Sequence, residues 1–239
     1  MMNSLNKTII ISGVTSGVGR ALAIRFHSLG WNIIGLARNE VKLKKLFNIL
    51  GHNFSFLTVD LMNKDAVAET FKIIESKNKN IDILVNNAAL FQSKEIFKCS
   101  LEDIDTIIDT NLKGVMYSTL EAIKVMKKSH SSSRIVNIGS VASIHGIKNQ
   151  SIYCASKFGL NGFSEALNQE IIKDNISITT LFPGGIDTPL WNKTNPYPGG
   201  DVSKLLQPDD IVRIVELLAS LESRVILKNM TIFPSNEWH

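Results

Sequence analysis

Several things are scarce in this sequence, and each scarcity excludes something. There are two cysteines, Cys99 and Cys154, too few for a disulfide framework or a cysteine-rich metal site. No run approaches the ~20 apolar residues that a bilayer crossing needs. The apolar stretch within Met1–Gly13 is too short for a signal-peptide core and leads straight into a glycine turn. No basic run is interleaved with aromatic residues, which argues against nucleic acid as a partner. Repeats, low-complexity tracts and linkers are missing as well. The expectation is a soluble, cytoplasmic protein with no metal, no membrane and no nucleic-acid partner.

What is present points to one large core. The chain has 239 residues, 44% of them apolar, and a formal net charge of +4. A length near 240 suits a doubly wound α/β fold as a single domain. Short β-branched runs alternate with longer helical patterns, the signature of a parallel sheet covered by helices. The pattern predicts strands at Lys7–Ser12, Asn32–Ala37, Asn53–Val59, Ile81–Asn86, Arg134–Ser140, Ser177–Phe182 and, least sharply, Val225–Phe233. Helices are predicted at Gly17–Leu29, Val41–Leu50, Lys64–Lys77, Ser100–Lys128, Ser151–Lys173 and Pro208–Leu221.

Local signals mark the ends of these elements. Ser100 with Asp103 reads as a capping box. Gly30 and Gly51 fall where helix C-termini should lie. Pro208, followed by Asp209 and Asp210, suits a first helical turn. The stretch Pro183–Gln207 is different: it carries four prolines and four glycines with little periodicity. Loops this long inside a domain are often lids over a site, so 185–207 is expected to be a substrate loop.

The first predicted strand runs into Ser12-Gly13-Val14-Thr15-Ser16-Gly17-Val18-Gly19, which opens a helix. Glycines there let the backbone turn sharply and approach a pyrophosphate, whose charge is favoured at a helix N-terminus. Gly13, Thr15, Ser16, Gly17, Val18 and Gly19 are therefore cofactor-binding candidates. The spacing is G-x-x-x-G-x-G, not the G-x-G-x-x-G fingerprint. The second strand ends at Ala37-Arg38, where an acidic residue would take the 2′-hydroxyl of NAD. An arginine there can pair with the 2′-phosphate of NADP instead, so NADP(H) is expected over NAD(H).

Taken together, Gly13-x3-Gly17-x-Gly19, Asp60-Leu61, Asn86-Asn87-Ala88-Ala89, Asn111, Ser140, Tyr153-x3-Lys157 and Pro183-Gly184-Gly185-Ile186-Asp187-Thr188 follow the order and spacing of a known family. From about residue 7 to about residue 190 the chain resembles the short-chain dehydrogenase/reductases. It departs from them in Ser12, where threonine is usual, in Ala89, where glycine is usual, and in Lys228–Trp238, which lacks a common Asp-Gly-Gly tail. The resemblance implies a Rossmann-type sheet of order 3-2-1-4-5-6-7 and a homodimer or homotetramer. It implies that Asp60 and Leu61 hold the adenine, that Asn87 and Ala88 lie along the cofactor, and that Ile186 and Thr188 contact the nicotinamide amide and phosphates. It also implies that Lys157 binds the nicotinamide ribose and that Asn111 holds a water linking Lys157 to solvent.

The chemistry of the candidate pair can be read from spacing alone. Tyr153 and Lys157, four apart on a helix, project from one face. A nearby ammonium should lower the phenol's pKa from ~10 and let Tyr153 act as general acid toward a carbonyl, or as base in reverse. Ser140 can donate to the developing oxyanion. His145 reads as a surface residue and Cys154 as a packed one. The expected activity is reduction of a ketone or aldehyde by NADPH, with a 3-oxoacyl thioester and a xenobiotic-type carbonyl equally open as substrates. An NAD-dependent alcohol dehydrogenase and a non-catalytic NADP-binding regulator remain the alternatives.

Overall fold

Strand β1 (Thr8–Ser12) shows how the sequence builds the layers. It is buried at every position, and its side chains alternate between the two faces of the sheet. Ile9 and Ile11 pack on one face with α1 (Gly17–Ser28), α2 (Glu40–Leu50) and α7 (Pro208–Ser220) through Phe26, Leu43 and Val215. Ile10 packs on the other with α3 (Lys64–Lys77) and α5 (Gly114–Ser129) through Phe71, Ile74, Ala122 and Met126. A strand buried on both faces reads as a continuous apolar run, as parallel strands do. The computed structural model describes residues 7–78, 80–129, 131–191, 196–197 and 201–235.

The remaining strands are β2 (Asn32–Ala37), β3 (Phe54–Thr58), β4 (Ile83–Asn86), β5 (Ser133–Ile138), β6 (Ile176–Pro183) and β7 (Asn229–Ile232). All seven pair in parallel, in the order β3-β2-β1-β4-β5-β6-β7. The order reverses between β1 and β4, and in open parallel sheets the crevice beyond the strand ends at such a switch point is where ligands bind. The capping box of Ser100 and Asp103 is formed. Gly30 and Gly51 adopt positive φ behind their helices, and Pro208 begins α7 with two acidic residues in its first turn.

Most strand ends shift by one or two residues, and β7 begins at Asn229 rather than Val225. Three further boundaries differ from the sequence reading. The single helix expected over Ser100–Lys128 is α4 (Leu101–Ile108), a π-helical turn at Asp109–Lys113, and α5. The wider turn falls where Gly114 packs on Leu61, with no space for a Cβ. β5 stops at Ile138: the Gly139 N–H makes the last ladder bond, to the Leu181 carbonyl, and Ser140 then caps a short 3-10 turn, Val141–Ser143. The helix expected over Ser151–Lys173 is α6 (Ser151–Ile171) followed by a 3-10 turn closed by Asn175 at φ +58°.

Arg134 on β5 fastens α7 to the sheet. It is buried, and its guanidinium donates to the carbonyls of Leu221, Glu222 and Val225 at 2.9–3.1 Å. These carbonyls lie just beyond the C-terminal end of α7, where a cation is favoured by the helix dipole. Arg134→Met should cost about 2–4 kcal/mol, the scale of losing charged hydrogen bonds and leaving their acceptors unmet. Urea unfolding at neutral pH measures it.

Candidate active site

A cleft of about 1340 Å³ runs along the C-terminal edge of the sheet across the switch point. Its floor is the turn between β1 and α1. Gly13 and Gly17 have φ of +67° and +50°, values that other residues rarely adopt. The turn is pressed against the end of β4, since a Cβ on Gly13 would lie 2.9 Å from the Ala88 Cα. The Ser12 hydroxyl accepts hydrogen bonds from the Asn87 and Ala88 N–H groups at 3.0 and 3.1 Å, and the Asn87 amide donates to the Ser12 carbonyl at 3.0 Å. These contacts need only a hydroxyl, so serine serves at position 12.

Of the cofactor-binding candidates, Gly13, Thr15, Ser16, Gly17, Val18, Arg38, Asp60, Leu61, Asn87, Ala88, Ile186 and Thr188 line the cleft. Gly19 lies behind the lining, where a Cβ would meet the Gly13 carbonyl oxygen at 2.4 Å. Its contribution is to let turn and helix close up. Ser16 precedes α1 without a side-chain cap, so the first N–H groups of the helix face an anion-binding position. Arg38 is exposed at the end of β2, beside Arg20 and Lys42, which the sequence reading missed. None of the three is ion-paired among the described residues. Arg20 follows the last glycine of the turn directly, a spacing that could have flagged it.

Ser140, Tyr153 and Lys157 meet at the other end of the cleft. Tyr153 is 7% exposed and Lys157 2%. Lys157 Nζ donates to the Ile138 carbonyl at 2.9 Å and lies 5.7 Å from the centre of the Tyr153 ring. Burial pushes the ammonium's pKa down to about 8. The phenol moves opposite to the sequence expectation: burial raises it to about 12, outweighing the lowering by its hydrogen bond with Ser140. Spacing revealed the pair but not the depth at which it lies.

Asn111 is buried in the π-helical turn and does not line the cleft. Its side-chain oxygen accepts the Leu90 N–H at 2.7 Å, and its NH₂ donates to the Leu90 carbonyl at 2.8 Å and to Ser156 Oγ at 3.2 Å. Ser156 in turn donates to the Tyr153 carbonyl at 2.7 Å. This amide therefore ties the strand-end loop to the helix of Tyr153 and Lys157. His145 is exposed and Cys154 is buried beside Tyr153.

An aromatic series leads away from Tyr153. Phe91 meets the Tyr153 ring edge-on at 5.1 Å, Trp191 meets Phe91 at 4.8 Å, and Tyr197 meets Trp191 at 5.1 Å. Trp191 is fixed by its Nε1–H, which donates to the Ile186 carbonyl at 2.7 Å. The expected loop 185–207 is tied down at both ends, where Ile186 and Leu206 form a parallel bridge. Residues 192–195 and 198–200 of that loop lie outside the described residues, as does the end of the tail at 236–239. Among the described residues there is no cluster that could hold a metal ion, and no helix is long and apolar enough to cross a membrane.

Residues 7–198 match the model of the short chain dehydrogenase family. The chain is 33% identical, over 95% of its length and 94% of the relative's, to a 3-oxoacyl-(acyl-carrier-protein) reductase of Rickettsia felis. It superposes on the serine dehydrogenase of Escherichia coli with a TM-score of 0.86 at 27% identity, covering 97% of this chain and all of the other. The closed form of a serine dehydrogenase complexed with NADP+ gives 0.88 at 28% identity, over 97% and 96% of the two chains. The protein belongs to the short chain dehydrogenase family and is an NAD(P)-dependent oxidoreductase.

The buried ammonium has a consequence for stability. The folded pKa of Lys157 lies below its unfolded value, so between about pH 8 and 10.5 the unfolded chain binds more protons. The burial cost is therefore present in full below about pH 8 and is relieved as pH rises toward 10.5. Lys157→Met should be more stable than the parent by up to about 3 kcal/mol at pH 7. The advantage should shrink steadily on titration to pH 10, measured by urea unfolding of both proteins.

Proposed function

We propose that the protein reduces a ketone or aldehyde to an alcohol and uses NADPH in preference to NADH. The observation that carries the reaction is the convergence of Ser140, Tyr153 and Lys157 at one apolar end of the cleft. The cofactor fits the residues present: a glycine turn with no space for side chains, an uncapped helix N-terminus, and three cations at the far end. When bound, the reduced nicotinamide supplies a hydride to the carbonyl carbon. Ser140 donates a hydrogen bond to the carbonyl oxygen and steadies its growing charge. Tyr153, held neutral by burial, gives its proton to that oxygen, which becomes a far stronger base than a phenolate. Lys157 stays positive at neutral pH and stabilises the phenolate left behind. Asn111 positions this group through Leu90 and Ser156. Arg38, with Arg20 and Lys42, receives the 2′-phosphate by charge-assisted hydrogen bonds. Ile186, Leu190, Trp191 and Tyr197 of the segment 185–207 border the substrate side, and the chain acts in the cytoplasm as a homodimer or homotetramer.

The similarity to a 3-oxoacyl reductase favours reduction over the oxidative alternative, and the cations beside Ala37 favour NADP. Two measurements test the reading. Tyr153→Phe should lose at least about 99% of NADPH-consuming turnover while binding NADPH normally, since only the proton donor is gone. Wild-type turnover in that variant would overturn the mechanism. Arg38→Ala should bind NADPH roughly tenfold to a hundredfold more weakly and NADH almost unchanged, in fluorescence titrations. Equal losses for both would show that Arg38 does not read the phosphate.

A further inference from the structure

Asn111 binds both backbone groups of a single residue. Its carboxamide accepts the Leu90 N–H at 2.7 Å and donates to the Leu90 carbonyl at 2.8 Å, as a strand partner would. The next side chain along is Phe91. It is 8% exposed, and its ring stands nearly perpendicular to Tyr153 at 5.1 Å and to Trp191 at 4.8 Å. Both are the edge-to-face arrangement that aromatic rings favour. Trp191 is itself held by the Ile186 carbonyl, so Phe91 is backed from behind. The other arm of the Asn111 amide reaches Ser156 Oγ, which donates to the Tyr153 carbonyl. One carboxamide therefore sets the backbone of Phe91 against the backbone of Tyr153, and the two rings close the circuit.

Phe91 also lines the cleft. Among the described residues it is the one aromatic ring in contact with Tyr153. Without its side chain, the space beside the phenol would join the cleft and fill with water. No charge would take the place of that water. On α6, Lys157 Nζ lies 5.7 Å from the Tyr153 ring centre and Cys154 packs beside it. The turn after β5 brings the uncharged hydroxyl of Ser140. The strand-end loop brings Phe91, the loop before α6 brings Ile147, and the segment after β6 brings Leu190 and Trp191, none of them titratable. Tyr197 stands one ring further out.

The geometry points to Phe91 as a positioning residue, whose ring, set by Asn111 and backed by Trp191, excludes water from the Tyr153 phenol. A dry phenol keeps its proton until a stronger base forms beside it. The inference rests on Tyr153 as the proton donor and adds the residue that keeps the donor dry.

The test reads the ionisation of Tyr153 in cofactor-free protein, so it needs no substrate. Tyrosinate absorbance is recorded against pH, and that of the same protein carrying Tyr153→Phe is subtracted. The subtraction cancels Tyr117 and Tyr197, the other two tyrosines. Circular dichroism at each pH restricts the reading to folded protein. At about pH 11 the parent should have roughly a tenth of Tyr153 ionised, and Phe91→Ala half or more. Phe91→Val should fall between them. Phe91→Met, which refills the space with apolar atoms, should stay near the parent. If Phe91→Ala unfolds before it titrates, Phe91→Val decides. Parent-like ionisation in every folded variant overturns the assignment. So does a Phe91→Met that ionises as readily as Phe91→Ala, because apolar bulk would then not matter. A parent already half ionised at that pH overturns it as well, since its phenol would not be dry. The reading of Tyr153 as proton donor fails separately, on wild-type turnover in Tyr153→Phe, a result that leaves the titration untouched.

Discussion

The cleft exists because two backbone segments approach more closely than side chains would permit. The turn after β1 lies against the end of β4, with Gly13 facing Ala88 and Gly19 closing onto the Gly13 carbonyl. Ser12 and Asn87 stitch the two segments together. A methyl group at either glycine would push α1 away from the sheet and carry with it the helix N-terminus that faces the anion-binding position. The apolar layers supply the cohesion, because both faces of the central strands are buried, and that cohesion keeps so tight a contact from relaxing.

At the opposite end of the cleft the same cohesion holds groups that would otherwise prefer water. Lys157 and Tyr153 are both driven toward their neutral forms by burial. The protein tolerates this because α6 is locked on the sheet and the Ile138 carbonyl takes one of the ammonium's hydrogens. Sites that do chemistry are often less stable than apolar packing would make them, and this cleft holds a buried cation and a buried phenol.

Much of the architecture was legible in the sequence. Seven apolar runs separated by helical patterns gave the strands, and the resemblance gave their order. Turn chemistry located Gly30, Gly51, Ser100 and Pro208 correctly, because those signals are local. What escaped depends on contacts distant in sequence. The π-helical turn at Asp109–Lys113 accompanies the fit of Gly114 to Leu61 and of Asn111 to Leu90, which no helical periodicity reveals. Arg20, Lys42, Phe91 and Gln150 line the cleft because the fold carries them there. The direction of the Tyr153 shift was misread because the i,i+4 spacing shows a neighbour but not the amount of water removed.

A chain of carboxamides and hydroxyls runs through the interior. The Asn86 NH₂ donates to the Asn137 oxygen at 2.8 Å, Asn137 donates to Ser164 Oγ at 2.9 Å, and Ser164 donates to the Leu160 carbonyl at 2.6 Å, linking β4, β5 and α6. Each link satisfies the next, so removing one leaves its neighbour buried and unmet. Drift at these positions is therefore constrained to travel in company: an apolar residue is admissible at one of them only after the others have changed. The network thus holds the end of β4 in register with β5 and with α6, the helix that carries Tyr153 and Lys157.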